Sequence, residues 1–248
     1  MLLAKRIYFW MVLVFCSLCL IIFFPFYLFA ARLVGVKPAA AARNAIWWYG
    51  RLFALLVFPV IPLQYHNPHL ARDNAPCIIV GNHQSFLDIY FLGAQCAKDS
   101  CQVVRAWPFR KFFFFAPLMR LAGYIEVEGV DNSNFINTCR QRLQQNISLV
   151  CFPEGTRSRT GKLGDFFTGI FRVALELGVP IVPLVYHNTW DVCRPGTFKI
   201  NPQIVRISML PPVFPESVKD CPKPHIRLRN LVRSKIEEEL QKAKALPL

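Results

Sequence analysis

A chain of 248 residues that is 54% hydrophobic and 14% aromatic has ample apolar surface for a folded core, which excludes a disordered chain. Its 29 Lys+Arg against 15 Asp+Glu give a formal charge of +14, an attraction for phosphate, anionic lipid or nucleic acid. Nine cysteines, an odd number without metal-ligand spacing, fit a reducing compartment better than a disulfide framework.

The apolarity is concentrated at the start. Residues 7–29, IYFWMVLVFCSLCLIIFFPFYLF, carry no formal charge. As a helix they reach roughly 35 Å, enough to cross a hydrocarbon core. Lys5 and Arg6 precede the run as they precede a secretory signal, but a signal's apolar region is about 7–15 residues, so a retained membrane segment is expected. Cys16 and Cys19 lie within it as small hydrophobes despite their C-x-x-C spacing. A second apolar stretch, AIWWYGRLFALLVFPVIPL (45–63), holds Arg51 and ends among prolines. Trp47, Trp48 and Tyr49 suit a headgroup boundary, where amphipathic rings keep one edge wet. It reads as an interfacial or partly inserted helix antiparallel to the first; a buried helix of the soluble domain is the alternative. Arg32, Lys37, Arg43 and Arg51 outnumber Lys5 and Arg6, which favours a cytoplasmic downstream domain, and a hairpin returning to one side is also allowed. With a membrane segment attached, anionic lipid is the partner the charge favours over nucleic acid.

Beyond residue 63 the pattern changes to short β-branched runs alternating with helical stretches. Strands are expected at 77–81, 101–105, 124–128, 147–152, 181–186 and 203–209. Helices are expected near 85–98, 108–121, 133–145, 166–177 and 225–244. That alternation predicts an α/β domain with a mixed, largely parallel sheet flanked by helices. In such sheets, sites gather where strands end and helices begin.

Two loops of that kind carry unusual chemistry. The first, GNHQSFLD (81–88), places a histidine and an aspartate five positions apart. If Ser85 is an N-cap, SFLD is a capping box with Asp88 at the third helical position, and His83 lies off the helix, free to fold back over its first turn. Asp88 then fixes one imidazole nitrogen and leaves the other as a base, or it only caps the helix; the two roles are compatible. The second loop, PEGTRSRTGK (153–162), sets Arg157, Arg159 and Lys162 around Gly155 and Gly161, an anion site or a solvated basic turn. It is not a nucleotide P-loop: five residues separate Gly155 from Gly161, and Leu163 stands where Ser or Thr is needed. A G-x-S-x-G elbow and a zinc-ligand pattern are absent from the sequence.

Together, in this order, the loops resemble the glycerolipid acyltransferase family whose type member acylates 1-acyl-glycerol-3-phosphate. Its first motif, N-H-x-x-x-x-D, matches Asn82, His83 and Asp88, with the frequent serine at Ser85. Its F-P-E-G-T-R-S motif matches residues 152–158, and its V-P-[IV]-V-P motif matches 179–183. The resemblance covers roughly residues 64–215. It implies a membrane-bound enzyme that transfers a fatty acyl group from acyl-CoA or acyl-carrier protein to the free hydroxyl of a lysolipid. His83 is then the general base and Asp88 its support. Glu154, Gly155, Thr156 and Arg157 hold the acceptor headgroup, with Ser85 and Arg105 as further substrate contacts, and the proline-rich strand lines the acyl path. No cofactor is implied. The resemblance also implies a hydrophobic two-helix membrane element, here residues 1–63, before an acyltransferase domain at 64–248 on the cytoplasmic side. One motif departs. The family's G-x-x-F-[IV]-x-R aligns with GYIEVEG (123–129), so Glu126 replaces the aromatic and Gly129 the arginine associated with the acceptor phosphate. Tyr124, Glu126 and Glu128 are expected on one strand face, where two carboxylates oppose a phosphate unless Arg105 or Arg120 compensates. That departure points to an acceptor with a zwitterionic or cationic head. A non-catalytic lipid-binding protein and a thioesterase-like hydrolase are the other readings.

Overall fold

Two apolar helices open the chain in the computed structural model, which describes residues 1–95 and 98–245. The first, α1 (Leu2–Leu33), is longer than the charge-free run within it; the second, α2 (Pro38–Val57), starts where Pro38 fixes a helical φ at no hydrogen-bond cost. The Tyr8 hydroxyl donates to Leu56 O at 2.8 Å, Phe9 packs edge-on against Phe53, and the Ser17 and Tyr49 hydroxyls meet at 3.1 Å. Partners ascend along one helix as they descend along the other, so the two form an antiparallel hairpin. Arg51 lies 4.0 Å over the Trp47 ring, which answers how an apolar helix carries a central arginine. Tyr49 is packed among Phe53, Tyr90 and Phe115, not at a wet boundary as its sequence neighbours suggested; Trp48 remains exposed.

The rest of the chain follows as β1 (Leu63–His66), α3 (Leu70–Asp73), β2 (Ile78–Gly81), α4 (Leu87–Gln95), β3 (Ser100–Val104), α5 (Trp107–Lys111), α6 (Ala116–Ala122), β4 (Ile125–Glu126), α7 (Asn132–Gln144), β5 (Ser148–Cys151), α8 (Gly169–Leu177), β6 (Ile181–His187), α9 (Thr189–Val192), β7 (Val205–Met209) and α10 (Pro224–Ala245). The seven strands form one sheet in the order β1-β7-β6-β2-β5-β3-β4. Every pairing is parallel except β6 with β7. This is the mixed, mostly parallel sheet the sequence predicts. Alternate residues of the central strands enter two cores, as the period of two requires. Ile79, Val150, Val182 and Leu184 face the α1–α2–α4 side, while Ile78, Val80, Leu149 and Ile181 face α7, α8 and α10. Glycines let α2 lie tight on α4: a Cβ at Gly50 would fall 2.6 Å from the Gly93 Cα.

Two expectations change and one strand is unforeseen. The helix expected at 108–121 is two helices joined by a turn, because Pro117 lacks an N–H and its ring clashes with a preceding helical carbonyl. The strand expected at 124–128 is reduced to Ile125–Glu126, and Tyr124 instead accepts a hydrogen bond from Gln102 through its hydroxyl. An unexpected edge strand, β1, pairs with β7; its exposed Gln64, Tyr65 and His66 give no apolar run to read. Residues 96 and 97 of the helix expected at 85–98 lie outside the described residues.

Candidate active site

β2 and β5 are hydrogen-bonded neighbours with Val80 opposite Cys151, so the histidine loop and the arginine loop leave the same edge of the sheet from adjacent strands. Asn82 extends β2 by side-chain pairing, donating to Tyr186 O at 3.0 Å and accepting from Tyr186 N–H at 2.8 Å. It thereby turns the chain at a fixed point and presents His83.

Four contacts hold His83. Its Nδ1 lies 2.9 Å from Asp88 Oδ2, its ring stacks on Phe152 at 4.4 Å, its N–H donates to Glu154 Oε1 at 2.7 Å, and its carbonyl accepts from Ser158 N–H at 2.8 Å. With Nδ1 committed, Nε2 is the nitrogen left to exchange a proton. It makes no hydrogen bond among the described residues. Asp88 is fully buried. The same Oδ2 also accepts from Gln84 N–H at 2.7 Å and Ser85 N–H at 2.8 Å, so this carboxylate caps α4 and orients the imidazole at once. The Ser85 hydroxyl accepts from Leu87 N–H at 3.4 Å, one residue short of the Asp88 N–H that a full capping box engages, while it donates to Cys193 O at 2.8 Å. Ser85 is fully buried, so it braces the loop from inside and offers no surface to a substrate.

Glu154 likewise differs from a headgroup ligand. Its second oxygen accepts from Gly164 N–H at 2.9 Å, so the carboxylate ties the histidine loop to the far limb of the arginine loop. Burial pushes its carboxyl above the ordinary range, opposed by the two backbone N–H bonds. Gly155 sits at φ +67, with Phe167 where a side chain would go; Thr156 is exposed and Arg157 half-buried. Thr156, Arg157, Arg159, Lys162 and Phe167 line an open groove of about 580 Å³ that reaches Glu154. The groove, which carries three cations against Glu154 and Asp165, is tied to the His83 backbone through Glu154 and Ser158.

The remaining expected contacts fall elsewhere. Arg105 follows β3, two strands from β2, which at roughly 4.8 Å per strand sets its backbone about 10 Å along the same edge. Its guanidinium is paired with Glu128, whose other oxygen accepts from Ala106 N–H at 3.1 Å. Of the proline-rich stretch 179–183, residues 181–183 enter β6, a central strand buried on both faces, and the half-buried Val179 and Pro180 precede it. Two contacts were not legible in the sequence. Trp10 of α1 stacks on Phe86 at 6.0 Å, and Arg6 donates to Ile200 O at 2.8 Å, so the N-terminal end of α1 docks beside the histidine loop. The thiols here are protonated: burial pushes Cys193 up to about 11 despite nearby Arg157, and Cys151 to about 12. A cysteine nucleophile is disfavoured.

A family model described as Acyltransferase matches residues 62–187, which include both loops. The chain belongs to the acyltransferase family. This acyltransferase is 27% identical over 205 residues to the 1-acyl-sn-glycerol-3-phosphate acyltransferase of Limnanthes douglasii, covering 79% of this chain and 67% of that protein. It is 34% identical over 151 residues to the Saccharomyces cerevisiae protein of the same description, covering 58% of this chain and 49% of the relative. The Haemophilus influenzae protein of that description is 30% identical over 149 residues, covering 57% of this chain and 59% of the relative. The chain thus matches about half to two thirds of the length of these relatives. Its fold is shared with the crystal structure of the 1-acyl-sn-glycerophosphate (LPA) acyltransferase, PlsC, from Thermotoga maritima, with a TM-score of 0.81 at 20% identity, covering 100% of this chain and 98% of that one.

Proposed function

We propose that this acyltransferase moves a fatty acyl group from a thioester donor, acyl-CoA or acyl-carrier protein, to the free hydroxyl of a lysophospholipid of the 1-acyl-glycerol-3-phosphate type. The observation that carries this is the His83–Asp88 contact at 2.9 Å, joined through Glu154 and Ser158 to the arginine loop. His83 Nε2 takes the hydroxyl proton as the oxygen attacks the thioester carbonyl. The C–O bond forms, a tetrahedral oxyanion collapses, the C–S bond breaks, and the imidazolium returns its proton to the departing thiolate. Asp88 stabilises that imidazolium. A positioned base of this kind contributes about 10²–10⁴-fold. A thioester is already activated, so the step asks mainly for a base and an oriented acceptor. Arg157 in the groove suits the acceptor phosphate.

A lysolipid acceptor resides in a bilayer, and the N-terminal hairpin supports attachment to one. Only 17% of the most apolar window of α1 is buried. Contacts from Arg6 to Phe24 run along the body and α2, which favours a hairpin lying face-on in one leaflet over a span projecting from the domain. The basic body then faces the cytosol, where anionic donors are found.

The Arg105–Glu128 pair favours a second reading, in which the acceptor phosphate carries a cationic substituent. Glu128 already neutralises the guanidinium, Glu126 is exposed at the end of β4, and Gly129 stands where the family motif has an arginine. Detergent-solubilised protein given acyl-CoA or acyl-carrier protein and a panel of lysolipids, with products read by mass spectrometry, tests both. Phosphatidic acid as main product supports the first reading, and diacyl phosphatidylethanolamine or phosphatidylcholine the second. Free fatty acid as the only product contradicts both.

A further inference from the structure

The turn between α5 and α6 holds four consecutive phenylalanines that the site does not use. Phe115 N–H donates to Phe112 O at 2.8 Å, which closes the turn. Phe115 points inward, 6.3 Å from Tyr49 of α2, and Phe112 is half-buried 6.1 Å from Trp107. Phe113 and Phe114 point outward, edge to face at 5.4 Å, 75% and 48% exposed. An exposed aromatic cluster of this kind marks a surface that something covers.

Its surroundings say what. Residues 105–122 include Arg105, Arg110, Lys111 and Arg120 and no Asp or Glu. All four cations are exposed; among the described residues Arg105 is ion-paired with Glu128, whose charge Arg110 also feels, and Lys111 and Arg120 form no salt bridge. Cations flanking projecting aromatic rings are the composition of an interfacial lipid contact. The turn is also continuous with the apolar hairpin: Leu118 and Ala122 of α6 bury against Ala42 of α2, with Leu20 and Phe24 of α1 packed on them. Just beyond Phe24, α1 exposes Phe26 and Phe29. At its other side, α5 begins three residues after β3 ends, on the sheet edge that carries His83 and Arg157.

We propose that Phe113 and Phe114 insert among the acyl chains of an anionic phospholipid surface, while Arg110 and Lys111 engage its phosphates. The turn is thus a second membrane contact, separate from the α1–α2 hairpin, and it holds the reactive edge of the sheet against the lipid that supplies the acceptor. That purpose rests on the lysolipid reading; the insertion rests on the turn itself.

Two measurements on the full chain decide it. In the first, the Phe113→Ser/Phe114→Ser double variant is assayed with a short-chain lysophosphatidate that is monomeric in solution and with a long-chain one in phosphatidylcholine/phosphatidylglycerol vesicles. The expected result is an unchanged rate on the monomer and a rise on the order of tenfold in apparent KM for the vesicle-borne acceptor, the loss that goes with failing to bury a phenylalanine. Equal rates on both substrates overturn the proposal. In the second, Phe113→Cys carrying a nitroxide is placed in the same vesicles, and wild-type protein treated identically supplies the background from native thiols. Greater relaxation by oxygen than by a water-soluble nickel chelate is expected. An aqueous label overturns the proposal, and so does a label immobilised only by raising protein concentration, which indicates a second copy as occupant. The nitroxide measurement decides insertion even if the double variant misfolds or no lysolipid is acylated.

Discussion

Replacing Asp88 by asparagine separates its two tasks. One oxygen, Oδ2, accepts from His83 Nδ1 and from the Gln84 and Ser85 N–H groups, while Oδ1 is buried without a partner. An amide oxygen at the Oδ2 position keeps all three contacts, and the new NH2 takes the place of Oδ1. The loop and the imidazole tautomer are retained; the negative charge is lost. A hydrogen bond to a charged group contributes about 1.5–3 kcal/mol against about 1 kcal/mol for a neutral one. The imidazolium therefore loses about 0.5–2 kcal/mol, roughly twofold to thirtyfold in kcat. The unpartnered NH2 costs roughly 1–3 kcal/mol of stability. Asp88→Ala removes the acceptor altogether, leaves two backbone N–H groups unpaired, and so loses both rate and more of the fold. The assay is kcat at saturating donor beside the melting temperature of the solubilised protein. A wild-type rate in Asp88→Asn refutes the support of the imidazolium by the Asp88 charge.

Three further outcomes follow from the packing. His187 is buried at the end of β6, and burial first, then the charges of Arg206 and His66, push its pKa down to about 4. The unfolded imidazole takes its proton near 6.5, so the associated stability is complete above that pH and is lost as pH falls through about 4, roughly 3 kcal/mol in all. His187→Gln is expected to flatten the stability curve between those values, and an unchanged slope in acid titration of unfolding contradicts the assignment. Glu154→Gln leaves one oxygen for two N–H donors, His83 and Gly164; a loss of about 1–3 kcal/mol and a raised acceptor KM are expected, and thermal melting with steady-state kinetics checks both. Gly50→Ala and Gly93→Ala each drive a methyl to within 2.6 and 2.8 Å of the other helix's backbone, so each is expected to destabilise by about 1–3 kcal/mol; an unshifted melt shows the helices free to part.

Much of this fold was legible because its signals are local. Buried parallel strands such as 77–81 and 147–152 are short apolar runs, and they appear as β2 and β5 within a residue or two. The histidine–aspartate contact was legible because capping places Asp88 at a fixed point on α4 and His83 just before it. What escaped depends on pairing across the chain. β1 takes its identity from β7, about 140 residues away. Ser85 and Glu154 have polar side chains on motif loops, and only the fold reveals that Cys193 O and Gly164 N–H claim them. Glu128 was expected to oppose a phosphate, yet which cation compensates is set by the β3–β4 neighbourhood that brings Arg105 to it.

The account depends on His83 Nε2 taking the acceptor's proton, and His83→Ala tests that directly. The backbone bonds from His83 N–H to Glu154 and from Ser158 N–H to the His83 carbonyl do not involve the side chain, so the loop is expected to hold its place. Acyl transfer from a labelled acyl thioester to lysophosphatidate is predicted to fall about 10²–10⁴-fold while vesicle association and melting temperature stay near wild type. Transfer within a few-fold of wild type contradicts the account.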